Sequence, residues 1–406
     1  MSRRQKAVAE AVGLMKGPQR IFPLLFRVSA DALRSRLEHR TLYSYSSTTR
    51  PTSEALSLVI RWILRAQRKD GGIPAYYSLM RGYSESYAEV TGYIVPTLYD
   101  FSHASGDVNS AQAAERATNW LLSLHLDSGA FPAGLDTGDV QPSVFNTGQI
   151  LQGLVRAYVE TSRAEFLDAA NAAGDWLASV QGDDGAWSGL GAYQGAAHTY
   201  YSMVAWSLAL LAAETKTTRH KATAERNLDW VLKQIEPSGW TSGINLKGYP
   251  TFLHFIAYVI QGVLECGIVL DRRDAVAAAA RSAWVLLRKF EVHKALLGAY
   301  DENFKSGMNF VCLTGNAQMS CIWLRLYEVT GELRYFNAAL KMNELLKESL
   351  QPSGHRGAVG GVAGSYPTWG AYQPLRYISW GCKFLADALM LELRLKRAFE
   401  ARACAS

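Results

Sequence analysis

Cysteine is scarce in this sequence, and none of the five forms a CxxC pair: they are Cys266, Cys312, Cys321, Cys382 and Cys404. Their spacing gives neither an even disulfide framework nor a local zinc motif. We therefore expect reduced thiols in a cytosolic protein, with no metal and no cofactor. One arrangement stays open, in which Cys312 and Cys382 meet in the fold and share a metal with a histidine.

Positive charge is too sparse for a nucleic-acid-binding protein. The net charge is +6 over 406 residues, and Lys and Arg form no dense block. The basic start of the chain is not followed by an apolar run with a cleavage site, so no secretory signal is expected. The most apolar long window, 252–270, contains polar residues that a membrane span rarely carries, which favours a buried helix.

Several common catalytic motifs are also missing. The sequence contains no GxxxxGK[ST] loop, no strand-linked GxGxxG and no GxSxG turn. These absences argue against a P-loop enzyme, a dinucleotide-binding domain and an α/β-hydrolase.

The sequence does contain a repeat. An aromatic or Leu anchor is followed about nine residues later by a Gly, and these glycines recur roughly every 54–59 residues, which fits a pair of helices. The pairs are Trp62–Gly71, Trp120–Gly129, Trp176–Gly185, Trp230–Gly239 and Leu345–Gly354, with Trp284–Gly298 as a stretched copy.

Segments on the two sides of each glycine differ in character. Those ending at an anchor, such as 111–120 and 220–230, carry charges, which is typical of helices with one solvated face. Those following a Gly turn, such as 251–264, are apolar nearly all round, as in helices enclosed by others. This alternation predicts an all-α fold, an (α/α)6 toroid of six helical hairpins over residues 51–398.

Residues 1–50 are predicted to form a helical N-terminal extension with many Arg and Lys residues. One interpretation is a solvated helix packed outside the barrel. The other is a peripheral contact with the inner membrane or with a biosynthetic complex, because basic amphipathic segments bind anionic lipid surfaces.

In such a toroid we expect the functional site at one end of the ring. Each Gly turn joins an outer helix to an inner one, so all the long loops gather over the same mouth. The inner helices begin there with polar side chains, although enclosed helices should begin with apolar ones. We expect a polar pocket at this mouth.

Five side chains at these helix starts are candidates for proton transfer: His198, His254, Tyr200, Tyr258 and Glu89. Each histidine is followed closely by a tyrosine, and such a pair can act as base and acid. Glu89 lies one helical turn after Glu85, and neighbouring carboxylates split their pKa values. The structural alternatives are satisfied core histidines and carboxylates that cap a helix N-terminus.

Further side chains at the mouth are candidates for substrate binding through ring stacking, hydrogen bonds to hydroxyls or contact with an acidic group. They are Tyr76, Arg81, Glu85, Tyr93, Asn146, Trp187, Asn309, Asn316, Trp369, Tyr372, Arg376 and Trp380. The amides could instead cap helices, and the tryptophans could be packing wedges.

Two turns, Gln67-Arg-Lys-Asp-Gly-Gly72 and Gln181-Gly-Asp-Asp-Gly-Ala-Trp187, resemble the QW repeat of squalene and hopene cyclases, whose superfamily of α/α toroids includes protein prenyltransferases. The sequence has no DxDD acid motif and no matching Asp-Cys-His zinc set. Three stretches, 89–97, 312–318 and 364–372, resemble poorly characterised bacterial proteins of surface-polysaccharide synthesis. That resemblance implies a role in exopolysaccharide biosynthesis.

These features predict a carbohydrate-active enzyme, acting on a bacterial surface polysaccharide or its precursor, that abstracts the C5 proton of a uronate as an epimerase or a lyase. His198 or His254 would remove the proton, and a neighbouring tyrosine would return it. Arg376 and Asn316 would hold the carboxylate.

Three alternatives stay open. A glycoside hydrolase would pair Glu89 with a loop carboxylate such as Asp136, Asp139 or Asp301. A non-catalytic sugar-binding or assembly protein would need no such pair. A terpenoid cyclase-like enzyme would line its mouth mainly with aromatic side chains.

Overall fold

The computed structural model describes residues 50–134, 140–351, 353 and 355–405. The predicted N-terminal extension lies outside the described residues except for Arg50, so its boundary stays a prediction. The loop carboxylates Asp136 and Asp139 also lie outside them.

Twelve α-helices run through the described part of the chain. They are α1 (Thr52–Ala66), α2 (Ala88–Ser105), α3 (Val108–Leu122), α4 (Val144–Thr161), α5 (Ala164–Ser179), α6 (Ser202–Thr215), α7 (Thr218–Leu232), α8 (Leu253–Val269), α9 (Arg273–His293), α10 (Leu313–Thr330), α11 (Leu333–Glu348) and α12 (Ser379–Ala405). None of the described helices is long and apolar enough to cross a membrane.

The even-numbered helices form a closed inner ring. Each packs against the next, from α2 through α4, α6, α8 and α10 to α12, and α12 packs against α2. The odd-numbered helices form the outer layer, and each packs on the inner helix that precedes it in the chain, with α1 packing on α12. This arrangement confirms the predicted (α/α)6 toroid.

Glycines allow the inner helices to approach one another closely. A Cβ atom added to Gly153 of α4 would lie only 2.5 Å from the carbonyl oxygen of Gly92 in α2. Gly148 of α4 faces the side chain of Val204 in α6 in the same way. Because a larger residue would push these backbones apart, the glycines set the diameter of the ring.

The repeated Gly turns are structural joints between neighbouring hairpins. Their glycines have positive φ, and an added Cβ would meet the backbone of the next outer helix; they are Gly71, Gly129, Gly185, Gly239 and Gly360. Gly360 meets Leu58 of α1, so the last loop is joined to the first outer helix. We expected Gly354 at this place, but it lies outside the described residues.

The glutamines of the QW-like turns brace the same joints. The Gln181 amide donates to the carbonyl oxygens of Gly185 and Thr223, and its oxygen accepts from Arg226. Gln67 makes the corresponding bonds in the first hairpin. The motif therefore ties a turn to the next outer helix.

Replacing Gly185 with Ala should destabilise the protein by about 3 kcal/mol, because φ is +90° and the new Cβ would overlap the Arg226 carbonyl. Gly189 is the matched control: its φ is +74°, but no atom lies within 4 Å of an added Cβ, so Gly189→Ala should cost only about 1 kcal/mol. Urea unfolding measures both values. Equal losses would contradict a joint at Gly185.

Four inner helices anchor the preceding loop through their fourth residue. The side chains of Thr91, Thr147, Asn316 and Cys382 accept hydrogen bonds from the backbone N–H groups of Ile73, Phe131, Leu296 and Val362. These loops carry five short strands: β1 (Tyr76–Ser78), β2 (Gly82–Tyr83), β3 (Val311–Cys312), β4 (Ser365–Tyr366) and β5 (Arg376–Ile378). Strand β1 lies between β2 and β5, so the first and last loops share one antiparallel sheet.

Candidate active site at the loop end of the ring

Five of the six inner helices present corresponding positions to the centre of the ring. The second and sixth residues are Glu89 and Tyr93 in α2, Phe145 and Gln149 in α4, His254 and Tyr258 in α8, Thr314 and Gln318 in α10, and Trp380 and Phe384 in α12. Residues four apart lie on the same helical face. Contacts across the ring confirm the convergence, because the Tyr258 ring lies 5.4 Å from Phe145 and 5.9 Å from Phe384.

Glu89 is the carboxylic acid of this centre. Tyr87 donates a 2.5 Å hydrogen bond to its Oε2, while Oε1 accepts none from the described residues. The side chain is only half-buried although protein surrounds it on all sides, as expected of a group that faces an interior pocket.

Burial raises the pKa of Glu89 from 4.5 to about 7, and the hydrogen bond from Tyr87 opposes part of the rise. Burial and the Glu89 carboxylate also raise the pKa values of Tyr87 and Tyr258 well above 10. At neutral pH the centre therefore combines protonated phenols with a carboxyl group that is close to half-ionised.

His254 is held in one tautomer by a chain of amides. Its Nδ1 lies 2.9 Å from Oε1 of Gln318, whose Nε2 donates a 2.8 Å hydrogen bond to Oε1 of Gln261. With the amides oriented in this way, Nδ1 carries the proton and Nε2 has a free lone pair. Burial lowers the pKa of His254 to about 3, so the ring is neutral at physiological pH.

The second and the sixth residues of these five inner helices form two layers of ring-facing side chains. His198 lies outside both layers, in an aromatic cluster. Its ring stacks on Tyr200 at 5.0 Å, and Nε2 bonds to the carbonyl oxygen of Tyr193. Its Nδ1 is buried and has no partner among the described residues. Tyr200 contacts Phe145 at 5.1 Å, which places this cluster beside the pocket.

The pocket floor has several polar groups of its own. Both amide atoms of Gln149 are buried without a hydrogen-bond partner in the described part of the chain, and the Tyr93 hydroxyl lies beside that of Tyr258. Deeper in the ring, Lys383 lies 2.6 Å from Asp387, which also accepts from Thr97. Burial raises the pKa of Asp387, although the Lys383 charge opposes the rise.

The prediction that Glu85 and Glu89 share a helical face is wrong. Helix α2 begins at Ala88, so Glu85 lies in the preceding loop. Its carboxylate is exposed and forms a 3.1 Å ion pair with Arg68. The two glutamates therefore have separate environments.

Three of the proposed binding residues make contacts that stabilise the fold. Trp187 is buried and donates to the carbonyl oxygen of Leu177. Asn146 is buried and donates to Pro132. Asn316 directs its amide at the backbone of Leu296 and Cys312, so we leave these three residues out of the proposed site.

The remaining proposed binding residues lie at the mouth or near it. Trp380 is half-buried and donates to the hydroxyl of Tyr372, whose ring lies 5.8 Å from His254. Arg376 stacks on Tyr76 in the three-stranded sheet formed by β2, β1 and β5. Arg81, Asn309 and Trp369 are exposed in the loops. Asp301, the loop carboxylate of the hydrolase alternative, accepts hydrogen bonds from the backbone N–H groups of Asn303 and Lys305 in its own turn.

Sequence reasoning missed the second layer of ring-facing residues except Tyr93 and Tyr258. Gln149, Gln318 and Phe384, which were not chosen as site residues, lie one turn further along their helices than Phe145, Thr314 and Trp380. The spacing of four residues from each helix start would have identified them.

A metal centre has no support in the described residues, where no group of three or more His, Cys, Asp and Glu side chains could hold an ion. Cys312 and Cys382 are free buried thiols that accept hydrogen bonds from Gly315 and Val362. Burial raises the pKa of each thiol to about 12, which keeps it protonated.

The sequence matches no family model and no curated protein. The fold, however, is similar to several solved structures. An unsaturated glucuronyl hydrolase specific for heparin has a TM-score of 0.69 at 15% identity, with 85% of this chain and 98% of that chain covered. A cellobiose 2-epimerase from Bacillus thermoamylovorans has a TM-score of 0.68 at 13% identity, with 84% and 97% covered.

A D-mannose isomerase has a TM-score of 0.68 at 10% identity, with 87% of this chain and all of that chain covered. These neighbours are (α/α)6 toroids, which confirms the toroid part of the resemblance seen in the sequence. At such identities the similarity shows the fold.

Proposed function

We propose that this protein is a carbohydrate-active enzyme that removes and returns a proton at a sugar carbon next to a carbonyl or carboxyl group. The observation that carries the proposal is Glu89, a ring-facing carboxyl group whose pKa is raised by burial to about 7. General acid–base catalysis is most effective when the pKa of the group lies near the working pH. The fold similarity to a glucuronyl hydrolase, a cellobiose epimerase and a mannose isomerase supports a sugar substrate.

The lining of the pocket suits a sugar ring. Half-buried aromatic side chains offer ring faces at the mouth: Tyr87, Phe145, Phe255 and Trp380. The unpaired amide atoms of Gln149 offer hydrogen bonds at the floor. Polar groups set in an aromatic wall are typical of sites that orient a small polar ligand.

Proton transfer fits the described carboxylates better than glycoside hydrolysis does. Hydrolysis needs two carboxyl groups about 5 to 9.5 Å apart. Asp387 bonds to Thr97, which lies eight residues beyond Glu89 on α2 and hence about 12 Å further along the ring axis. Asp301 is occupied by its own turn.

His254 and Glu89 take different parts in the proposed reaction. Helix α8 lies opposite α2 in the ring of six, so the two side chains face the pocket from opposite sides. A histidine with a pKa of about 3 holds a proton too weakly to act as the base. We assign proton removal to Glu89, and we assign to Nε2 of His254 the acceptance of a hydrogen bond from a sugar hydroxyl.

The chemical step follows from these protonation states. The Glu89 carboxylate takes the proton from the sugar carbon, and the C–H electron pair moves towards the adjacent C=O group. Protonated Tyr258 lies close enough to Glu89 for its pKa to respond to that charge, so its hydroxyl can stabilise the developing oxyanion. Protonation of the same carbon on its opposite face gives an epimer. Protonation of the former carbonyl carbon, with a proton shift between the two oxygens, gives an isomer. Departure of a substituent from the next carbon, with the Glu89 proton passing to the departing oxygen, gives an unsaturated product.

Deuterium exchange tests this proposal directly. The enzyme is incubated in heavy water with aldoses, cellobiose-type disaccharides and uronate oligosaccharides, while ultraviolet absorbance reports unsaturated products. Deuterium at carbon without absorbance indicates an epimerase or isomerase, and new absorbance indicates a lyase. Neither signal with sugars that demonstrably bind would contradict proton transfer and favour a non-catalytic binding protein.

That the sugar substrate belongs to a bacterial surface polysaccharide or its precursor stays a prediction, because it rests on the sequence resemblance alone. So does the peripheral contact of the basic N-terminal segment with a membrane or a biosynthetic complex.

A further inference from the structure

Arg376 is a cation at the mouth that the proposed proton transfer does not use. Its guanidinium carbon lies 4.2 Å from the centre of the Tyr76 ring, and Nη1 donates a 2.8 Å hydrogen bond to Oε1 of Gln373. It forms no ion pair with a described carboxylate. Its other N–H groups are neither buried nor bonded within the described residues.

The sheet register shows which way this pair faces. Arg376 pairs with Ser78, and Tyr76 pairs with Ile378, so Tyr76 and Arg376 lie diagonally on one face of the sheet. Tyr77 and its partner Tyr377 occupy the other face, where Tyr77 contacts Tyr83 and His355. Tyr83 in turn lies 6.1 Å from Trp62 of the outer helix α1. The Tyr76–Arg376 face is therefore the one turned away from Trp62 of the outer helix.

Strand β5 leads directly into α12, so Arg376 precedes the pocket-wall residue Trp380 by four residues. Four residues of extended chain span at most about 14 Å. The Arg376 backbone therefore lies within about 14 Å of the Trp380 backbone, near where a sugar unit attached to one held at Glu89 would extend.

We propose that Tyr76 and Arg376 form a subsite for an acidic sugar unit next to the reacting sugar, so that the substrate is an anionic oligosaccharide or polysaccharide. The proposal rests on the proposed function for the position of the reacting sugar. A guanidinium has the planar donors that match a carboxylate in a bidentate contact. Stacking on Tyr76 and the bond to Gln373 fix its orientation before the ligand arrives, which reduces the entropic cost of binding.

Binding of a matched pair of sugars tests this subsite. The probes are a glucuronate-containing tetrasaccharide and the same tetrasaccharide with its carboxyl groups reduced to hydroxymethyl groups, each titrated calorimetrically at low salt. The acidic probe should bind about 10-fold more tightly than the reduced probe, and the difference should shrink with added salt.

The variants separate a binding role from a structural one. Arg376→Gln should remove the 10-fold preference and leave the affinity for the reduced probe unchanged. Arg376→Lys, which keeps the charge but loses the fork of donors, should retain part of it. Arg61→Gln changes an exposed arginine on the outer helix α1 and should have no effect.

Equal affinity for the two probes, no binding of either, or a preference that survives Arg376→Gln would overturn the subsite. The readout does not depend on turnover, so Glu89→Gln protein should show the same preference. If Glu89→Gln protein retains turnover while the preference for the acidic probe persists, the assignment of Glu89 fails and the subsite stands.

Discussion

Glu89→Gln protein should lose turnover by at least about 1,000-fold, because an amide keeps the shape of the carboxyl group but cannot exchange a proton. Glu85→Gln is the matched control. Glu85 lies only four residues away, but its carboxylate is exposed and paired with Arg68 outside the pocket. The control should retain wild-type turnover in the exchange assay, and loss of activity in both variants would point to a general defect in the fold.

The pH dependence of the wild-type reaction gives a second signature of the same group. Glu89 must be ionised to remove a proton, so kcat/KM should rise with pH and level off above an apparent pKa of about 7. Tyr87 donates the hydrogen bond that favours the ionised form, so Tyr87→Phe should move the profile to higher pH. A profile that is flat between pH 5 and pH 8 would contradict Glu89 as the base.

The architecture could be predicted from the sequence because every hairpin repeats the same physical constraint. A turn with positive φ that packs against a neighbouring backbone accepts only glycine, so Gly71, Gly129 and Gly185 recur at a nearly constant spacing. Enclosed helices must be apolar on all sides, so the alternation of helix types can be read directly. The last loop was harder to place, because the joint is made by Gly360 within a run of glycines.

The site could be predicted only in part. Polar residues at the starts of enclosed helices conflict with burial unless they line a pocket, which pointed to Glu89, His254 and Tyr258. The structure places all three at ring-facing positions, and their role in catalysis stays a proposal. The error at Glu85 came from extending α2 one turn too far, and helix boundaries depend on caps and tertiary contacts that a pattern does not show.

The protonation states of the site could not be predicted from the sequence. A pKa of about 7 for Glu89 and about 3 for His254 both result from burial, which depends on the complete ring rather than on neighbours in sequence. The residue type of His254 therefore suggested a base, whereas its environment makes it a neutral hydrogen-bonding group. The amide chain through Gln318 to Gln261 likewise joins helices that are distant in sequence.

The environment that prepares Glu89 for proton transfer should also lower the stability of the protein at neutral and higher pH. Its pKa is raised from 4.5 to about 7 on folding, so the folded state binds the proton more tightly than the unfolded state does. Stability contributed by the protonated carboxyl is therefore present below about pH 4.5 and is lost as the pH rises towards 7.

Glu89→Gln should remove this loss, because the amide has no charge to bury. Relative to the wild type, the free energy of unfolding of the variant should increase by about 2 kcal/mol between pH 5 and pH 8. Urea unfolding of both proteins at the two pH values measures the difference, and contributions from other groups such as Asp387 cancel in the comparison. Glu85→Gln should show no such change, since its carboxylate is exposed and lies outside the pocket. If the variant is inactive and more stable than the wild type at pH 8, the site gives up stability for function. If the variant is inactive but gains no stability at pH 8, Glu89 is well solvated in the wild type and its pKa lies near the ordinary value.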